Sequence, residues 1–170
     1  MTSLPEKPLL PIEVIPAAPE QEPILANLFE LYAHDFSEFA AVELGVDGRF
    51  GYARLPLYWT EPDRHPLLVR VDGKWAGFVL VKREGNVWDV AEFFIARGYR
   101  RRGVGMNVAH EVWRRFPGRW EVRVMEANLT AREFWERAIT SFMGEANVSV
   151  RVVKDGKSWQ LFSFESRHAA

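Results

Sequence analysis

The chemistry most open to reading lies between Arg97 and Gly105. Arg97, Arg100, Arg101 and Arg102 are followed by Gly103-Val104-Gly105. Glycines let backbone N–H groups approach a ligand closely, a helix N-terminus adds positive potential, and guanidinium groups add full charges. The combination makes an anion site, and the ligand it predicts carries phosphate. Two elements must position it. Val90, Phe93, Phe94 and Ile95 read as a buried strand entering the turn. Val104, Val108, Val112 and Phe116 recur every fourth residue, with Ala109 and Trp113 beside them, so the chain leaves the turn as a helix with one apolar face. No Gly-Lys-Ser/Thr follows, so a P-loop is excluded. The dinucleotide fingerprint also fails, because Ala109 and His110 stand where a third glycine would be useful.

A chain of 170 residues is of single-domain size, and 48% apolar content with seven tryptophans describes a folded globular protein. The formal net charge of -1 argues against a general nucleic-acid binder. The absence of cysteine excludes disulfides, thiolate metal sites and a cysteine nucleophile, and fits a reducing cytoplasm, the expected location. His34, His65, His110 and His168 are scattered without paired spacing, so no metal site is expected. No apolar run approaches a membrane span and no leader pattern is visible, so no membrane association is expected.

Residues 1–10 read as a loose tail, and residues 11–170 as one domain. Pro11 to Pro16 predicts a short strand. Pro23 opens a helix with the stripe Leu25, Leu28, Phe29, Tyr32. Asp35-Phe36-Ser37-Glu38 has capping-box spacing, which predicts a break and a second short helix to about Val42. Gly45 to Pro66 is long for a connection and carries Phe50, Tyr52, Tyr58 and Trp59. It is either a wall of an acceptor site or a loop whose aromatics fill satellite core. Asp72-Gly73 and Glu84-Gly85-Asn86 punctuate three strands that should form an antiparallel meander ending at Ile95. After the glycine turn and its helix, Trp120 to Val124 alternates as a half-buried strand, parallel to the central one. Thr130-x-x-Glu133 is a capping-box pattern opening a helix with Phe134, Trp135 and Ile139. Asp155-Gly156 closes a second hairpin between Val148 and Phe164.

Arg100-x-x-Gly103-x-Gly105 resembles the acetyl-CoA signature of the GNAT N-acetyltransferase superfamily, and Asn128, Ala131, Phe134 and Trp135 match the layout of its later helix. The order of elements from Ile12 to Phe164 is similar to that of the whole family fold, and EFFIARGYRRRGVG with FWERAI looks like a group of bacterial predicted acetyltransferases. The resemblance implies an α/β (α+β) fold: a mixed, mostly antiparallel sheet flanked by helices. It also implies acetyl transfer from acetyl-CoA to a primary amine of a small molecule or peptide.

In that frame the pyrophosphate lies on the N–H groups of Arg102, Gly103, Val104, Gly105 and Met106, with Arg100 and Arg101 beside it. Backbone groups of Phe94, Ile95 and Ala96 pair with the pantetheine arm as if it were a strand. Asn128 either meets that arm or is a helix-entry residue, and Phe134 and Trp135 sit beside it. Glu92 is the candidate base for the ammonium proton, and it shares a strand face with Phe94. The family often has a tyrosine that protonates the departing thiolate where this chain has Trp135. Trp135 instead packs on the pantetheine arm or the core. Water, Tyr58 or Tyr32 is then left to protonate the thiolate, or the chain is a non-catalytic acetyl-CoA-binding module. Tyr32, His34 and Tyr58 are the candidate acceptor-side residues. The closing hairpin could pair between two copies of the chain.

Overall fold

The computed structural model describes residues 10–167. The proposed tail, Leu10 apart, and His168 lie outside them. The order is β1 (Ile12–Pro16), α1 (Glu22–Phe36), β2 (Arg64–Val71), β3 (Lys74–Glu84), β4 (Val87–Ile95), α2 (Val104–Arg115), β5 (Gly118–Met125), α3 (Leu129–Met143), β6 (Val150–Lys154) and β7 (Lys157–Ser166). The strands form one sheet in the order β1-β2-β3-β4-β5-β7-β6. Only β4 and β5 run parallel; every other neighbouring pair is antiparallel. Among the described residues no helix is long and apolar enough to cross a membrane.

Strand alternation builds two cores, one on each face. From β3, Val79 and Val81 face α2 and α3, where they meet Val108, Val112, Trp113 and Ile139. Phe78 and Leu80 face the other way, onto Leu25, Phe29 and Ala33 of α1. Leu55 and Tyr58, from a 3-10 turn at Leu55–Trp59, close that second core. The two Asp-Gly hairpins form as their composition demands, with φ of 50° and 72° at Asp72 and Gly73 and 53° and 72° at Asp155 and Gly156.

Two local expectations are corrected. The helix does not break at Asp35: α1 runs unbroken to Phe36 and no second helix follows. The apolar stripe continues through Ala33, so burial carries the helix past the residue whose spacing suggested a cap. The last helix begins at Leu129 with Asn128, not Thr130, as its N-cap.

Two irregularities shape the middle of the sheet. On the β3–β4 ladder Leu80 pairs with Glu92 but Val81 pairs with Val90, so Ala91 is an extra, bulged residue. A bulge reverses which face the following residues occupy. It turns Glu92 and Phe94 towards α1. On the other edge, β4 and β5 pair only from Val87 to Asp89, and no pairs join Val90–Ile95 to Val122–Met125. The two strands therefore part halfway along.

The β3 side of that parting is tight. A Cβ on Gly77 would lie 2.0 Å from the Phe94 carbonyl oxygen. Gly77→Ala must push β4 aside at Phe94–Ile95 and is expected to cost ~1–3 kcal/mol. A lowered melting temperature, with weakened coenzyme A binding by calorimetry, is the expected result.

Candidate active site

The basic turn leaves β4 through a 3-10 turn at Arg97–Tyr99 and enters α2 at Gly103. Two left-handed residues steer it, Arg101 at φ 60° and Gly103 at φ 76°. Glycine takes that conformation without strain; Arg101 does not. The helix ladder starts only at Asn107, whose N–H reaches the Gly103 carbonyl at 3.0 Å. Among the described residues, the N–H groups of Arg101 through Met106 meet no acceptor. This is the set of donors that an anion at a helix start requires. Gly105 brings α2 against α3: a Cβ there would sit 3.1 Å from the Phe134 ring.

The arginines divide into two kinds. Arg100 donates through Nε to the Ile95 carbonyl at 2.6 Å and through Nη2 to Asp35 at 2.8 Å, and its guanidinium lies over the Phe94 ring. Arg97 donates to the other Asp35 oxygen at 2.6 Å. Burial pushes the Asp35 carboxyl up, but the hydrogen bonds from Arg100 and Arg97 outweigh it and hold the group below its ordinary value. Arg101 and Arg102 are exposed and form no ion pair among the described residues. Arg100, expected beside the phosphate, braces the turn, while Arg101 and Arg102 carry charges without an ion pair among the described residues.

The strand-like seat is also corrected. Ala96 N–H donates to the Ala76 carbonyl at 2.7 Å, towards β3. Ladder alternation then gives Phe94 to β3 as well, and turns the backbone of Phe93 and Ile95 into the gap beside β5. With the Ile95 carbonyl held by Arg100, the N–H groups of Phe93 and Ile95 are the donors that face the gap. Asn128 caps α3, its Oδ1 accepting from Ala131 N–H at 3.1 Å, which is the helix-entry role. Phe134 is half-buried against Gly105. Trp135 is buried, edge-on to Phe93 at 4.9 Å, so it packs in the core.

Glu92 sits at the mouth of the gap on the α1 face. Tyr32 donates its hydroxyl to Glu92 Oε2. Burial raises the carboxyl, Tyr32 offsets part of that, and the Asp89 charge adds to it, leaving Glu92 pushed up to about 7. Asp89 itself is buried and bridges Arg123 at 3.1 Å and Lys82 at 3.6 Å where the strands part. Burial and the Glu92 charge hold the Tyr32 phenol well above its ordinary value, so it orients Glu92 rather than releasing a proton.

Tyr58 is corrected as a thiolate proton donor: it is buried, and burial raises its phenol beyond useful acidity. His34 is exposed, and two residues along a helix from Tyr32 it points away from Glu92. The sequence reading named neither Tyr52 nor Asp35 as a site residue. Tyr52 stacks on Phe29 at 4.4 Å, and its phenol is raised by burial and by the Glu92 charge. Its signal was an aromatic in an overlong loop.

Tyr32 and Asp35 lie one turn apart on α1, so one helix face grips both Glu92 and the basic turn. Asp35→Ala frees Arg97 and Arg100 and is expected to weaken coenzyme A binding about tenfold, ~1.4 kcal/mol. Asp35→Glu should recover most of that affinity in a calorimetric titration.

A gap between parted strands leads to unpaired amides at a helix start and is flanked by a half-buried carboxylate, an arrangement that suits a phosphate-bearing group donor. The model of the Acetyltransferase (GNAT) family matches residues 25–139, and the chain belongs to that family. Acetyl transfer with acetyl-CoA as co-substrate is the family's reaction. No curated protein matches the chain in sequence.

The fold is that of an acetyltransferase from Thermus thermophilus, with a TM-score of 0.69 at 17% identity over 92% of this chain and 98% of that one. The acetyltransferase yncA from Salmonella typhimurium, solved with acetyl-CoA, gives 0.58 at 13% identity over 94% and 96%. SpeG spermidine N-acetyltransferase from Vibrio cholerae gives 0.60 at 9% identity over 91% and 94%. The residues here fit acetyl-CoA: the unpaired amides with Arg101 and Arg102 suit its diphosphate, and the gap beside Phe93 and Ile95 suits its pantetheine arm. Among the described residues no group of three His, Cys, Asp or Glu could hold a metal ion.

Proposed function

We propose that residues 11–170 form one acetyltransferase domain that moves the acetyl group of acetyl-CoA to a primary amine, with Glu92 as the base. The observation that carries this reading is Glu92 itself: a half-buried carboxylate aimed by a bulge to the mouth of the gap, bonded by Tyr32 and raised to about 7. Acetyl-CoA, when bound, supplies the thioester carbonyl that the amine nitrogen attacks and the sulfur that leaves. Glu92 Oε1 or Oε2 takes the proton of the incoming ammonium, directly or through one water, so that the nitrogen lone pair is free. Tyr32 fixes the carboxylate while it does so. The Ile95 N–H faces the gap and stabilises negative charge on the carbonyl oxygen. As the C–N bond forms the C–S bond breaks, and solvent water protonates the thiolate. Holding amine and thioester together supplies much of the acceleration.

A second reading, a module that binds acetyl-CoA without turnover, is favoured by one observation. Trp135 stands where the family often has a tyrosine and is buried against Phe93. Thiol release with a panel of amines separates the two. Release that depends on an added amine supports the transferase; tight acetyl-CoA binding without release on any amine supports the module.

A further inference from the structure

The surroundings of Glu92 bear on which amine reaches it. On one side are rings. Phe29 stacks on Tyr52 with 4° between planes and meets Tyr32 edge-on at 5.4 Å. Tyr52 is held there because the Glu30 carboxylate accepts the N–H groups of Phe50 and Gly51 at 2.8 and 3.1 Å, hanging the loop from α1. The Tyr58 hydroxyl is buried without a hydrogen-bond partner among the described residues, and the Glu92 charge reaches both Tyr52 and Tyr58. The neighbouring acids are already held in ion pairs. Asp89 pairs with Arg123 and Lys82, Asp35 with Arg97 and Arg100, Glu61 with Arg64 at 2.5 Å, and Glu30 with Arg49 at 3.6 Å. Glu92 forms no ion pair among the described residues; its partner is a phenol. Arg54 and Arg64 bring positive charge to Tyr52 and Tyr58.

A polyamine carries several ammonium groups, and each one that enters a site needs its own carboxylate or must stay hydrated. Beside these rings Glu92 is a carboxylate without an ion pair among the described residues, while Glu30 and Glu61 are already paired, so a second ammonium finds no free acid there and must stay hydrated. A single nitrogen on an apolar skeleton meets Glu92 with its ammonium and the rings with its carbon, where aromatic contacts add to burial. Resting on the reading that the chain acetylates an amine, we infer that the acceptor is a primary monoamine on an apolar, aromatic-bearing skeleton, selected by Tyr52. Polyamines are disfavoured.

The test compares 2-phenylethylamine, hexylamine and spermidine as acceptors at about pH 8, where Glu92 is ionised, following thiol release and acetylated product by mass spectrometry. The expected kcat/KM for each monoamine exceeds that for spermidine by about tenfold or more. Tyr52→Ala is expected to lower kcat/KM for 2-phenylethylamine about tenfold, mainly through KM, with unchanged acetyl-CoA affinity by calorimetry. Tyr52→Phe, which keeps the ring and its stack on Phe29, should retain the preference. Spermidine turned over as well as or better than the monoamines overturns the inference and leaves acetyl transfer standing. An unaltered preference in Tyr52→Ala overturns the role of Tyr52. Acetyl-CoA binding with no release on any of the three amines overturns both the inference and the reading beneath it.

Discussion

Glu92→Gln lowers the rate of acetyl transfer by about 100- to 1000-fold while leaving coenzyme A affinity nearly unchanged, since general-base catalysis contributes roughly that much. The side chain keeps its shape and can still accept from Tyr32, so loss of rate reports loss of the proton acceptor and not of packing. The pH profile supplies a second readout. A carboxyl raised to about 7 is an effective base only above that pH. The wild-type kcat/KM should therefore rise about tenfold per pH unit up to about 7 and then level off, and that limb should vanish in Glu92→Gln. Stability should move with the opposite sign. Folded Glu92 keeps its proton to about 7, whereas in the unfolded chain it releases it in the ordinary carboxylate range. Between those values the folded state binds more protons, so folding stability falls as pH rises through that window. Glu92→Gln removes this penalty, and its melting temperature relative to wild type should be more favourable above the window than below it. A rate unaffected by the substitution would remove Glu92 from the mechanism.

What the sequence disclosed about this site depended on range. The turn was legible because its chemistry is local: Gly103 and Gly105 dictate backbone conformation and close approach within their own neighbourhood. The Asp-Gly hairpins and the stripe from Val104 to Phe116 follow from the same short-range logic. Asp35 resists such a reading because a carboxylate with cap spacing looks the same whether it meets its own helix or arginines more than sixty residues away. The bracing role of Arg100 is hidden for the same reason, since its Asp35 partner lies on another element.

The parity of the central strand had the same difficulty. Glu92 and Phe94 share a face as expected because both follow the bulge, but the bulge itself is a property of the β3–β4 register. The choice among Phe94, Ile95 and Ala96 turned on the Ala96–Ala76 bond, which no local pattern announces. Of the alternatives the sequence leaves open, tertiary packing shows the structural ones: Asn128 caps α3 and Trp135 packs in the core. The aromatic loop packs on the second core, where Tyr58 is buried and Tyr52 stacks on Phe29.

Gly105→Val should weaken coenzyme A binding by about 10- to 100-fold, or ~1.4–2.7 kcal/mol. A single Cβ at Gly105 already stands 3.1 and 3.2 Å from two Phe134 ring atoms, and the added methyl groups of valine cannot be accommodated without movement. Phe134 also packs on Phe93 at 5.7 Å, so the ring has little room to retreat, and the start of α2 must lift instead. That movement tilts the unpaired N–H groups of Arg101 through Met106 away from a common focus. It leaves the guanidinium groups of Arg101 and Arg102 in place on the surface. The two contributions can be separated by salt. Exposed charges are screened within about 10 Å at 0.1 M ionic strength, so Arg101→Ala with Arg102→Ala should lower affinity and flatten its salt dependence. Gly105→Val should lower affinity and keep the slope of the wild type. A compensating Phe134→Ala, which clears space beside residue 105, should return part of the lost affinity to Gly105→Val but none to the arginine variant. Equal recovery in both would mean that the fit of α2 against α3 does not aim the amides.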